Sequence, residues 1–186
     1  MSRFAYIGDV MGFTTKTIVI DKGWNNIKKE IKSLSKSQIK NGLFGDGPPK
    51  NNPAYRGMIH EYGVAINVTP KMRGFLHSIG IHIKQSTGQI VIPSRPFMRS
   101  GFDKGLKKLK QLIDYNYGLL IENKITTWDF LNRVGVFHAD QLRQSLDKGP
   151  WKKLHPVTAE RKGSSQPLVD TGEMMREIKH KIEKGG

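Results

Sequence analysis

Residues Gln89 to Ile121 read QIVIPSRPFMRSGFDKGLKKLKQLIDYNYGLLI, and this stretch decides the fold. It begins as a strand, with Ile90 and Ile92 one strand period apart around β-branched Val91. Pro93 and Pro96 end the ladder, because neither has an N–H to donate and each restricts the residue before it. Ser94 or Arg95 then takes the N-cap position of a helix whose first turn suits Pro96. From there Phe102, Leu106, Leu109, Ile113, Tyr117 and Leu120 recur every three or four residues, forming one stripe of a long helix. Lys104, Lys107, Lys108 and Gln111 fall on its other side.

Upstream, the alternation in Ile81–Lys84 and Gln89–Ile92 predicts a hairpin closed by the glycine-containing loop between them. Before it, the pattern gives a helix from Ala54 to Tyr62 stopped by Gly63, a strand at Val64–Val68, and a short helix opened by Pro70. Gly45 to Pro53 (GDGPPKNNP) reads as a loop. Closer to the N-terminus, Gln38–Phe44 is an expected strand. A helix begins at Trp24, with Trp24, Ile27, Ile31 and Leu34 on one face and Lys28, Lys29 and Lys32 on the other. Thr17–Ile20 is a further strand, and residues 1–15 form an arm able to hold one more.

Downstream, Thr127 is the expected N-cap of a second helix, with Leu131, Val134, Leu142 and Leu146 mostly on one side. The two helices make a helical hairpin at about 96–148, closed by Gly149-Pro150. After it come a basic loop at Glu160–Gln166, a short helix beyond Asp170 and a last strand, Glu177 to Ile182. The fold class is therefore α+β: a small antiparallel sheet packed against a long helix and a helical hairpin. Residues 16–186 form one domain, preceded by the arm at 1–15.

The 186 residues carry 31 Lys and Arg against 16 Asp and Glu, a formal charge of +15 that implies work beside a polyanion or an acidic protein surface. The absence of cysteine excludes disulfides and thiolate metal sites. No apolar run approaches the roughly 20 residues of a membrane span, and the N-terminus lacks the apolar core of a signal peptide. The expectation is a soluble protein made without export, with no membrane partner.

Catalytic motifs are missing. His60-Glu61 has no second histidine four residues on, so it does not make a zinc-protease pair. It reads instead as two polar residues at a helix end. No phosphate-cradling loop, nucleophile elbow or tight acidic cluster is present. Asp170 or Thr171 reads as an N-cap, with Glu173 in the first turn against the helix dipole. The expectation is therefore no enzyme, no cofactor and no metal. The candidates that remain are basic: Lys104, Lys107 and Lys108 in one patch, Lys152, Lys153, Arg161 and Lys162 in another. Either patch suits DNA phosphates or an acidic partner, and either could equally be a solvated helix face.

Three pieces in order carry a resemblance: IHEYG (Ile59–Gly63), IPSRPFM (Ile92–Met98) with the long helix behind it, and a C-terminal pair. That pair is Trp151 to Thr158 (W-x-x-L-H-P-x-T) and, after a basic loop, LVDTGEM (Leu168–Met174). Together they resemble the neck or tail-completion proteins of tailed bacteriophages, over roughly Ile39 to Ile182. The resemblance implies a structural protein of the virion's head-to-tail junction, assembled in the host cytoplasm. Copies would close into a ring of six or twelve around the channel for packaged double-stranded DNA. Other neck, connector and tail-terminator proteins would be its partners. No catalytic residue carries over. Glu61, Arg95, Pro96, Phe97, Asp170, Thr171 and Gly172 would be fold- and ring-forming positions, with Arg95 and Glu61 as a pair within or between subunits. The reading from charge alone is a free-standing basic DNA-binding protein.

Overall fold

In the computed structural model of the chain, the described residues are 3–10, 13–20, 23–45 and 52–184; the first two of these segments are described by backbone alone. Their elements, in chain order, are β1 (Arg3–Val10), β2 (Phe13–Ile20), α1 (Trp24–Ser35), β3 (Ser37–Leu43), α2 (Pro53–Tyr62), β4 (Val64–Asn67) and α3 (Pro70–Ser78). There follow β5 (Gln89–Ile92), α4 (Phe97–Ile121), α5 (Thr127–Lys148), α6 (Pro156–Lys162), α7 (Glu173–Arg176) and β6 (Ile178–Lys184). The class is α+β. Most of the expected proline–asparagine loop, 46–51, lies outside the described residues.

The helical hairpin is α4 packed along α5. Leu131, Val134, Leu142 and Leu146 are all buried, as their spacing predicts. Thr126, one residue before the expected Thr127, caps α5 through a reciprocal pair of bonds with Asp129. Thr127 is buried for a different reason: its N–H and hydroxyl both donate to Glu30 of α1, at 2.7 and 2.9 Å, tying that helix to the start of α5. These bonds hold the Glu30 carboxyl below its ordinary range.

The apolar stripe of α4 is rotated from its expected position. Leu109 and Leu120 are buried, but Phe102 and Tyr117 are 42% and 45% exposed. The buried edge runs instead through Phe97, Gly101, Gly105, Leu109, Asn116 and Leu120. Counting large side chains misses the glycines that let α5 approach. A Cβ on Gly101 would sit 3.1 Å from Leu142 and Ser145, and one on Gly105 would overlap Gln141. On α1, likewise, Trp24 is 62% exposed and Ile31 37%.

Among the described residues the strands form three separate two-stranded antiparallel ladders. β3 pairs with β6 from Ser37↔Lys184 to Leu43↔Ile178, and this ladder lies against α5. Ile178 is fully buried, in a core of Leu43, Phe97, Ala139, Leu142, Leu146 and Leu168. A second cluster, Leu109, Phe130, Leu131 and Val134, takes in Ile39 and Ile182 from the same ladder. Towards the N-terminus β1 pairs antiparallel with β2 from Arg3↔Ile20 to Val10↔Phe13, so the described part of the expected arm and the strand at 17–20 share one ladder.

The expected hairpin of 81–84 with 89–92 does not form. β5 pairs instead with β4, Val64 opposite Ile92 and Asn67 opposite Gln89. Residues 81–88 form no strand and turn at Gln85-Ser86, and a side chain holds them. The Arg73 guanidinium of α3 donates to the carbonyls of Ile83, Lys84, Gln85 and Thr87, at 2.8 to 3.4 Å. Those carbonyls, satisfied by one side chain, need no ladder. The basic loop at 160–166 is also more ordered than its composition implies. α6 covers its first half, and Lys162 Nζ donates to the Gln166 carbonyl while Gln166 Nε2 donates to that of Asp147.

Gly63, the expected helix stop, has a second duty. At φ 76° and ψ 169° it occupies backbone space essentially restricted to glycine. A Cβ there would lie 2.8 Å from the Ser94 nitrogen and 2.9 Å from the Ile92 oxygen, both backbone atoms with little room to yield. Gly63→Ala is therefore expected to lower stability by about 1–3 kcal/mol, read from the urea midpoint. An unchanged midpoint would show that the turn between α2 and β4 can relax.

Candidate functional site

The three sequence motifs, far apart in the chain, converge where α2 meets the start of α4. Pro96 precedes α4 at φ −74°, ψ 68°, an inverse γ-turn in which the Phe97 N–H donates to the Arg95 carbonyl at 2.7 Å. Neither Ser94 nor Arg95 caps the helix. The cap comes from Glu61, in the last turn of α2: its carboxylate accepts from the N–H of Met98 at 2.9 Å and of Arg99 at 3.2 Å. A 25-residue helix thus starts on a carboxylate that is only 4% exposed, where negative charge is favoured by the helix dipole. Ser94 Oγ and Arg99 Nη2 donate to the Glu61 carbonyl at 2.8 and 3.3 Å and complete the joint.

Within the chain, Glu61 does not pair with Arg95. The ion pair is with Arg99, Nε to Oε1 at 3.1 Å, and the Arg99 guanidinium lies 5.4 Å from the Tyr62 ring centre. Arg99 gave no signal in sequence, because an arginine on a helix with a basic outer face reads as solvated. Arg95 turns inward and is 5% exposed, with its N–H donated to the His60 carbonyl at 2.6 Å. Phe97, next to it, is fully buried in the core.

The third motif lies against the same helix. Asp170, Thr171 and Gly172 line a cavity of about 230 Å³ with Arg56 and His60 of α2. Gly172, not Asp170 or Thr171, is the N-cap of α7. Arg56 Nη1 donates to Glu173 at 3.0 Å, fastening the segment to α2 and holding the Glu173 carboxyl below its ordinary range.

The basic candidates divide. Lys104 and Lys108 line a groove of about 390 Å³ between α4 and α5, joined by Lys148, which is not among the candidates the sequence singles out. Gly101 and Gly105 line the same groove, and the buried Ser145 hydroxyl in it has no hydrogen-bond partner among the described residues. Lys107, Lys152, Lys153 and Arg161 are exposed and do not line it. Lys162 is turned inward to the Gln166 and Pro167 carbonyls. Burial holds its amine below the usual value, with Asp170 raising it and Arg95 lowering it.

Among the described residues no group of three or more His, Asp or Glu is placed to hold a metal ion, and no helix is long and apolar enough to cross a membrane. No family model, curated protein or solved structure matches the chain.

Proposed function

We propose that this chain is a structural protein of the head-to-tail junction of a tailed bacteriophage, closing into a ring around the DNA channel. The observation that carries the assembly reading is on α2. Tyr55, Met58 and Tyr62, at spacings of three and four, are 39%, 50% and 69% exposed and form an apolar stripe along its outer side. The inner side of the same helix holds Glu61 against α4. The motif residues therefore brace, from within, a helix that offers apolar surface outward. A second copy is the partner such a surface fits, through a heterologous contact that closes a ring of six or twelve.

Met58→Lys tests this. The position is exposed, so monomer stability should change by no more than about 0.5 kcal/mol. A buried lysine in a subunit contact should nonetheless turn rings into monomers in mass photometry and negative-stain images. Rings that persist in the variant would remove α2 from the interface.

A second reading has its own observation. Lys104, Lys108 and Lys148 around one groove suit the phosphates of a duplex, and a free-standing DNA-binding protein would use them without a ring. In the ring reading the same lysines meet the packaged DNA or an acidic neighbour.

A further inference from the structure

The end of α3 brings two histidines together. Helical spacing gives no hint of them, because His77 and His82 lie five positions apart, on opposite sides of a turn. Backbone bonds fix that turn. Gly80, at φ 80°, donates its N–H to the His77 carbonyl at 3.0 Å, and Ile81 donates to that of Leu76 at 2.8 Å. This pair of bonds closes the helix and folds the chain back on its last turn. Arg73 then holds the returning segment through the carbonyls of Ile83, Lys84, Gln85 and Thr87. Both histidines therefore stand on backbone that is tied down.

The two rings meet through the same nitrogen. Nδ1 of His77 lies 2.8 Å from Nδ1 of His82, with the ring centres 4.6 Å apart and the planes at 64°. A contact of that length needs one nitrogen to donate and the other to accept. The same spacing suits a metal ion. Two imidazole nitrogens bound at right angles, each about 2.0 Å from an ion, are themselves about 2.8 Å apart, whereas a tetrahedral pair spreads to about 3.3 Å. Right-angled coordination by nitrogen is typical of Cu2+ and Ni2+. Both residues are exposed, so water can reach the ion and fill its remaining positions. His77 is also in the last turn of α3, where the carbonyl end of the helix favours a cation.

We propose that His77 and His82 form a two-ligand site for a divalent transition-metal ion of the Cu2+ or Ni2+ class. The ion takes the Nδ1 lone pair of each ring. The one proton between the rings passes to water while Nε2 of the same ring takes one up, so both imidazoles stay neutral. The bound ion clips the 81–88 segment, which forms no strand, to the end of α3. The site departs from the expectation of no metal, and it rests on neither the ring reading nor the DNA-binding one.

The test is isothermal titration of the full, untagged chain with NiCl2 at about pH 7.5, where imidazole competes well against protons. One Ni2+ per chain should bind saturably. His77→Gln and His82→Gln should each weaken binding by about tenfold or more. Neither should move the metal-free Tm by more than about 2 °C, because both positions are exposed. His155→Gln, at the start of α6, should leave the titration unchanged. The Cu2+-loaded chain should give an axial electron paramagnetic resonance spectrum with hyperfine structure from two nitrogens, reduced to one in either glutamine variant. The proposal is overturned by the absence of saturable binding, or by an affinity that survives His77→Gln or His82→Gln unchanged. The contact between the rings would then be a hydrogen bond and nothing more.

Discussion

Replacing Phe97 with alanine is expected to destabilise the fold by about 3–5 kcal/mol, the range for deleting a buried phenyl ring. Its ring is fully buried among Leu43, Leu142, Leu146, Leu168 and Ile178, so it contacts β3, α5, the 168–175 segment and β6 together. Little of this loss can relax. The backbone at 95–97 is fixed by the Pro96 turn and by the bond from Arg95 to His60, and the neighbours belong to four separate elements. In a chain of this length the change corresponds to a fall in Tm of about 10 °C. A drop below about 3 °C would mean that the core refills the space. Phe97→Asp would bury a charge there and abolish the fold, so a failure of that variant to assemble would say nothing about an interface.

The second large effect is at Glu61. Glu61→Ala leaves the Met98 and Arg99 N–H groups without their acceptor at a buried helix start, an expected loss of about 2–4 kcal/mol. The ion pair with Arg99 contributes less, because the Arg99 side chain is 61% exposed and its charge is screened by water. The two contributions are separable. In an Arg99→Met background, Glu61→Ala should cost nearly the same, within about 1 kcal/mol of its effect in wild type. A loss that largely disappears in that background would make the ion pair, not the backbone cap, the role of Glu61.

These two residues also show what the sequence could and could not give. The long helix, the hairpin, its apolar α5 face and the terminal strand follow from periodicity and caps, and all are present. The failures have specific causes. Periodicity runs the α4 stripe from Phe102 through Leu106, Leu109, Ile113 and Tyr117 to Leu120, because glycine carries no hydrophobic signal, yet Gly101 and Gly105 lie where a Cβ would run into α5. Alternation alone pairs β5 with 81–84, its nearest neighbour in sequence, while Arg73, a residue with no strand character, takes up carbonyls of the 83–87 segment.

At the candidate site the motif residues were legible but their roles were not. Opposite charge suggested Glu61 with Arg95. The helix turn of α4 instead brings Arg99 to Glu61, and Pro96 directs Arg95 inward. Only the three-dimensional path of the chain places Arg56, His60 and Asp170 around one cavity. Lys148 was missed because it lies at the end of a different helix from Lys104 and Lys108, 40 positions further along the chain than Lys108.

The most direct test of the central claim is to image phage particles from a lysate that contains this protein, after gold-labelling with an antibody raised against it. The ring reading predicts label concentrated at the junction of head and tail. Particles without label, with the protein recovered free or bound to DNA, would contradict that reading and favour the DNA-binding one.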